Sequence, residues 1–196
     1  MEKIRVYPRP FVVSLSVMPS VLVPLADGFE EIEALAPIDL LRRAGIAVTT
    51  ASLSAHGHAT GRSEVMIQTD RTLLEAMNGD YDLIFLPGGA GTKFLRADER
   101  VRQCVLRQHA AGRWLAAICA APTVLNDCGL LAGRRYTAHY SVAPELPDIL
   151  AHERIVTDGH ITTSRGAGTA IDFGLHLVTL LAGKSKSEEI SKAICF

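Results

Sequence analysis

Fully apolar runs of four to six residues, separated by stretches with helical spacing, set the pattern of this chain. Val21–Ala26, Leu83–Leu86 and Trp114–Ile118 are continuous apolar segments, as expected of central parallel strands covered on both faces. Ile46–Leu53 predicts a further strand. Between the first and second strands, Glu30 to Ala44 carries Ile32, Leu35, Ile38 and Leu41 three residues apart, which predicts a helix with one apolar face, stopped by Gly45. A strand, a helix and a parallel strand imply a right-handed crossover. Ser54–Gly61 reads as a polar loop, Val65–Gln68 as a short strand and Leu73–Met77 as a short helix. Leu86 runs into the turn Pro87-Gly88-Gly89-Ala90-Gly91, and Asp98–Ala111 predicts a helix closed by Gly112. Beyond Trp114–Ile118 come a helix over Ala120–Asn126, a strand over Arg135–Ala138, and a hairpin of Arg154–Val156 with Ile161–Thr163 around Asp158-Gly159. Two helices follow, Thr169–Leu181 and Lys186–Ile194. Strands alternating with helices predict an α/β sandwich on a mainly parallel sheet.

Residues 1–17 do not share this pattern. They hold Lys3, Arg5, Arg9 and two prolines, and Ser14 and Ser16 interrupt the apolar run that a signal peptide needs. They read as a poorly ordered extension ahead of Met18, leaving 18–196 as a single domain.

Composition narrows the function classes. Apolar residues make up 48% and charged residues 21% of the 196 residues, the balance of a globular chain with a full core. A formal net charge of −1 supplies no electrostatic footprint for nucleic acid or an acidic membrane. No apolar run approaches bilayer-spanning length. Cys104, Cys119, Cys128 and Cys195 form no C-x-x-C pair or zinc spacing, which points to free thiols in a reducing, cytoplasmic setting. The histidines, His56 and His58 among them, form no H-E-x-x-H set, so no metal is expected. Neither the Gly88-Gly89 turn nor Ser164-Arg165-Gly166-Ala167-Gly168 completes a phosphate-binding motif, and no cofactor is expected.

The candidate chemistry gathers where ligands bind in such sheets, at the carboxyl ends of the strands. Cys119 stands at the junction of the Trp114–Ile118 strand and the next helix, which carries Pro122 in its first turn. That is the setting of a nucleophile elbow, here with sulfur, where helix N–H groups favour the thiolate. The same pattern also fits a small buried residue ending a strand. Glu33, one turn into its helix, falls near the elbow; beside a thiolate its carboxyl is expected to stay protonated and donate to sulfur. The Gly89 N–H, with that of Ala120, offers an oxyanion hole, although a plain tight turn explains the glycines equally well. His139 follows the Arg135–Ala138 segment, as a general acid or base or as an ordinary surface histidine.

Val21–Leu53, Leu86-Pro87-Gly88-Gly89, Ala117-Ile118-Cys119-Ala120-Ala121-Pro122 and Thr163-Ser164-Arg165-Gly166-Ala167-Gly168-Thr169 together resemble the ThiJ/PfpI superfamily, within it the DJ-one/YajL branch. The resemblance runs from about Met18 to the C-terminus. It implies a flavodoxin-like (class I glutamine amidotransferase-like) sandwich and a homodimer. It also implies that Cys119 is the reactive thiol, Glu33 its acid partner, and Gly89 and Ala120 the backbone donors, with His139 near the family's active-site histidine. Peptidase-like members carry His directly after the cysteine, where this chain has Ala120. Glutamine amidotransferases favour Gly where this chain has Ala117 and Ala121. The branch implies glutathione-independent conversion of methylglyoxal and glyoxal to lactate and glycolate, or deglycation of proteins. Its substrates are thus small dicarbonyls or glycated proteins. The alternative is an oxidative-stress sensor or redox-regulated chaperone using the same cysteine.

Overall fold

A computed structural model describes residues 18–196, so the expectations for residues 1–17 lie outside the described residues. A seven-stranded sheet runs β5-β2-β1-β6-β7-β9-β8, where β1 is Ser20–Leu25, β2 Ala47–Ser52, β5 Arg71–Thr72, β6 Leu83–Leu86, β7 Trp114–Ile118, β8 Ile155–Asp158 and β9 Ile161–Ser164. All neighbours pair in parallel except β8 with β9. The order β2-β1-β6-β7-β9 is that of a flavodoxin-like sheet, whose ligand crevice lies where the chain reverses direction across the sheet. Strands β1, β6 and β7 are almost wholly buried, which is why they carry no polar alternation.

Helices cover both faces. On one, α1 (Glu31–Arg43) packs with α6 (Ala170–Ala182) around Ile38, Leu41, Phe85, Phe173 and Val178. Gly174 makes this approach possible: a β-carbon there would stand 2.6 Å from Leu40 Cδ1 and 3.0 Å from Pro37 Cα. Pro37 lies inside α1 without ending it. On the other face, α4 (Glu99–Ala110) and α5 (Pro122–Asp127) bury Val101, Val105, Val124 and Leu125 against Ile84 and Leu115. The C-terminal α7 (Lys184–Ala193) packs Ile190 into the first layer.

Three expectations need correction. The Ser54–Gly61 loop contains β3 (His58–Thr60), which pairs antiparallel with β4 (Met66–Gln68) in a separate hairpin. Residues Thr92–Ala97, to which the sequence pattern assigns no element, form a short helix, α3. The helix after Cys119 begins at Pro122 rather than Ala120. Arg135–Ala138 is not a strand. Both edges of β9 are already taken, by β7 and β8. The segment instead bonds Thr137 N–H to the Thr163 hydroxyl, while the Tyr136 carbonyl accepts from Leu150 N–H. The short α2 (Leu73–Ala76) does form, closed by a capping box between Thr72 and Glu75.

Candidate active site

The site is assembled from the carboxyl ends of β1, β6, β7 and β9. Strand register sets the first contact. Ile118 pairs with Ser164, so the residues that follow each emerge side by side. The Cys119 N–H then donates to the Ser164 carbonyl at 2.9 Å, and its own carbonyl accepts from His139 N–H at 2.8 Å. Held at both ends, Cys119 takes a φ of 65°, a left-handed conformation that costs a residue with a β-carbon free energy and persists only where its surroundings impose it. This is the strained elbow that the strand-to-helix junction predicts.

Glu33 reaches the elbow from α1. Glu30 caps that helix, its carboxylate accepting from Glu33 N–H at 2.7 Å, which turns the Glu33 side chain inward to 2% exposure. A third strand end makes room. Gly88 follows β6, and a β-carbon on it would stand 2.6 Å from Cys119 Cβ and collide with Glu33 Oε2. The next residue, Gly89, has a φ of 93°, and its N–H points at the Cys119 sulfur together with that of Ala120. A fourth, Gly166, follows β9. A β-carbon there would lie 3.4 Å from His139 Cδ2, 3.6 Å from Glu33 Oε1 and 3.9 Å from Cys119 Sγ. The bare face of Gly166 is thus the floor on which all three side chains converge.

Electrostatics couple sulfur and carboxyl. Burial, reinforced by the charge of Glu30, pushes Glu33 up to about 7 against the pull of hydrogen bonds from Cys119, Ala167 and Gly88. Glu33 Oε2 is buried with no hydrogen-bond partner, a state far cheaper for a neutral carboxylic acid than for a carboxylate. Burial, then the charge of Glu33 and the hydrogen bond with it, pushes the Cys119 thiol up to about 12, and the Gly89 and Ala120 N–H groups offset only part of that. The thiol pKa is therefore raised, where the sequence pattern predicts a lowered one. Half-burial and a neighbouring carboxyl outweigh two N–H donors and a six-residue helix that starts three residues downstream. Between pH 7 and 12 the pair holds a single proton, chiefly on sulfur beside the Glu33 carboxylate.

His139 lines the same cavity of about 350 Å³ as Cys119, Glu33, Gly89 and Ala120. Its ring makes no hydrogen bond to the sulfur. Nδ1 lies 2.8 Å from Ser141 Oγ and accepts from Ser141 N–H at 3.3 Å, so the neutral ring carries its proton on Nε2 and presents a donor. Sequence reasoning did not single out Arg62 and Glu30, which also line the cavity. Arg62 depends on an element outside the strand pattern: it comes from the turn after β3, tied by its N–H to the Phe29 carbonyl at 2.8 Å. Gly166 had a readable signal, since it follows a strand whose carboxyl end lies beside the elbow. Among the described residues no helix is long and apolar enough to cross a membrane.

Comparison with known proteins bears on the family and the fold. The family model described as DJ-1/PfpI family matches residues 19–180. The Drosophila melanogaster protein dj-1beta is 38% identical over 179 residues, covering 89% of this chain and 96% of the relative. A Caenorhabditis elegans protein named glutathione-independent glyoxalase DJR-1.2 is 32% identical over 178 residues, covering 89% and 94%. The crystal structure of Drosophila melanogaster DJ-1beta superposes with a TM-score of 0.88 at 37% identity, covering 91% of this chain and 98% of that one. Oxidized DJ-1 from Toxoplasma gondii superposes with a TM-score of 0.86 at 32% identity, covering 91% and 98%. On its sequence, its sheet order and its strained cysteine elbow, the chain belongs to the DJ-1/PfpI family.

Proposed function

We propose that this protein is a cysteine-dependent, glutathione-independent glyoxalase that converts methylglyoxal and glyoxal to lactate and glycolate. The observation that carries this reading is the contact between Cys119 and a carboxyl whose pKa lies near neutrality, the value best suited to taking and returning a proton. The relative named as a glutathione-independent glyoxalase supports the same chemistry.

The steps follow from the side chains. Glu33 holds the thiol proton as sulfur adds to the aldehyde carbon of methylglyoxal, forming an S–C bond and a hemithioacetal whose oxygen takes a proton. The N–H groups of Gly89 and Ala120 face the charge that develops there. Glu33, again a carboxylate, removes the proton from that carbon, giving an enediol, and a proton is returned at the adjacent carbon. The aldehyde carbon is thereby oxidised to a thioester and the ketone reduced to a carbinol, with no external electron carrier. Water cleaves the S–C bond, releasing lactate and restoring Cys119. His139, presenting Nε2–H, donates to the substrate ketone oxygen rather than acting as a base on sulfur. Deglycation uses the same nucleophile: Cys119 displaces the amine from a carbinolamine adduct, the amine leaving with the thiol proton, and the hemithioacetal left on sulfur follows the same path.

The test is lactate formation from methylglyoxal by purified protein without glutathione. The wild type is expected to turn over, and Cys119→Ser to lose activity by about 1,000-fold or more. Wild-type protein that makes no lactate overturns the reading.

A second reading has one observation in its favour. The oxygen of Glu33 that lacks a partner is well placed to donate, once protonated, to an oxidised Cys119. Two molecules of hydrogen peroxide take the thiol to a sulfinic acid and leave two waters. An oxidative-stress sensor of this kind needs selective peroxide oxidation of Cys119 without lactate turnover, so the same assay separates the two.

A further inference from the structure

A second cleft, about 420 Å³, meets the catalytic cavity at His139. Ala138, Tyr140, Leu146, Pro147 and Ile149 line it with Arg165 at one wall, and nothing in the proposed reaction uses it. Its frame is tied down at several points. Leu150 N–H donates to the Tyr136 carbonyl at 3.0 Å, and the Thr137 hydroxyl donates to the Leu150 and Glu153 carbonyls at 3.1 Å each. Arg165 donates to the Ala151 carbonyl at 3.1 Å, and Arg96 pairs with Glu145 at 2.7 Å. Leu146 is fully buried, so the apolar floor is built into the fold.

Cleft and catalytic cavity share one lining residue. His139 lines both, and its Cδ2 edge stands over the bare face of Gly166, where Glu33 and Cys119 also converge. The surroundings of a substrate bonded to Cys119 are therefore unequal. Toward Glu30 and Arg62 the cavity is charged; the cleft is mainly apolar, with Arg165 its one charged side chain.

We infer that the cleft beside His139 receives the carbon chain of a 2-oxoaldehyde, making long-chain alkylglyoxals the preferred substrate class rather than methylglyoxal. This rests on the glyoxalase reading and names its substrate. The dicarbonyl head reacts at Cys119 and Glu33 as before, and the alkyl group on the ketone carbon passes the edge of His139 to lie against Leu146 and Ile149. A methyl group is too short to reach that surface. A hexyl chain adds methylene groups, each favoured by burial.

The experiment compares 2-oxooctanal with methylglyoxal in wild-type protein and in Ala143→Phe and Ala151→Phe, which fill the cleft from exposed positions and touch no catalytic group. The 2-hydroxy acids are read by mass spectrometry. The wild type is expected to favour 2-oxooctanal in kcat/KM by roughly tenfold or more. The filled variants are expected to lose that preference and keep their methylglyoxal rate within about twofold. Equal kcat/KM values in the wild type, or a preference that survives both filled variants, overturn the proposal. A second readout is independent of turnover: the rates at which N-hexyl- and N-methylchloroacetamide alkylate Cys119. A hexyl preference that both variants abolish, in protein that turns over neither aldehyde, supports the cleft as a chain-binding subsite while the glyoxalase reading falls. No hexyl preference in such protein overturns both.

Discussion

Gly88 passes so close to Cys119 that a side-chain carbon on it would stand 2.6 Å from Cys119 Cβ while striking the Glu33 carboxyl. The space between nucleophile and acid is therefore set by a backbone without a side chain. Gly88→Ala is expected to separate the pair by a fraction of an ångström to an ångström, with a loss of lactate formation on the order of 100-fold. Overpacking of this buried site is expected to cost about 1–3 kcal/mol of stability. A variant with wild-type turnover removes the requirement for contact between Cys119 and Glu33.

Burial of Glu33 has a thermodynamic consequence with a definite sign. Its carboxyl is raised from 4.5 to about 7 in the folded chain. Between those pH values the native state holds a proton that the unfolded state has released. Stability is therefore fully present below pH 4.5 and falls as pH rises through 7, by on the order of 3 kcal/mol. Glu33→Gln, neutral throughout, is expected to abolish this slope and to be more stable than wild type at pH 8 but not at pH 4.5. Urea unfolding at several pH values measures it, and parallel curves for the two proteins count against a buried, protonated Glu33.

The shared proton also predicts the reactivity of the sulfur. Because burial and the Glu33 carboxylate push the Cys119 thiol up to about 12, alkylation of Cys119 by iodoacetamide is expected to stay slow at neutral pH and to keep rising well into the alkaline range. In Glu33→Gln the carboxylate charge that raises the thiol is gone, and the midpoint is expected to move down toward the ordinary thiol value of about 8.5, with burial holding it above that value. Mass spectrometry of the intact protein follows the reaction. Superimposable profiles for the two proteins show that the Glu33 carboxyl does not raise the thiol.

These couplings show which parts of the molecule the sequence made legible. Strands β1, β6 and β7 stand out because burial on both faces leaves each an unbroken apolar run. Cys119 stands out because it ends one of them ahead of Pro122. The β3–β4 hairpin does not, since Ala59 is its only buried residue and the glycine and histidines around it carry no alternation. Arg135–Ala138 misleads for the opposite reason. Tyr136, Thr137 and Ala138 are buried like strand residues, but their backbone bonds go to a hydroxyl and a loop, which composition does not show. Site residues on strand ends were readable. Arg62 was not, because its place depends on the hairpin, and the raised thiol pKa was not, because it depends on how deeply Glu33 and Cys119 are packed together.

Gly166 gives the sharpest separation of catalysis from folding. A β-carbon there meets nothing closer than His139 Cδ2 at 3.4 Å, with Glu33 Oε1 and Cys119 Sγ at 3.6 and 3.9 Å, all ordinary packing distances. Gly166→Ala therefore fits sterically, and its cost to stability is the conformational one of a φ of 155°, about 1–3 kcal/mol. Yet the added methyl occupies the space between nucleophile, acid and imidazole, where the reacting carbon must sit. The variant is expected to fold cooperatively with a lowered Tm and to lose lactate formation by about tenfold or more. Cys119 should remain present as a free thiol, titratable after unfolding. A folded Gly166→Ala protein with undiminished turnover would place the reaction elsewhere than over this glycine, and would remove Glu33 and His139 from their parts in it.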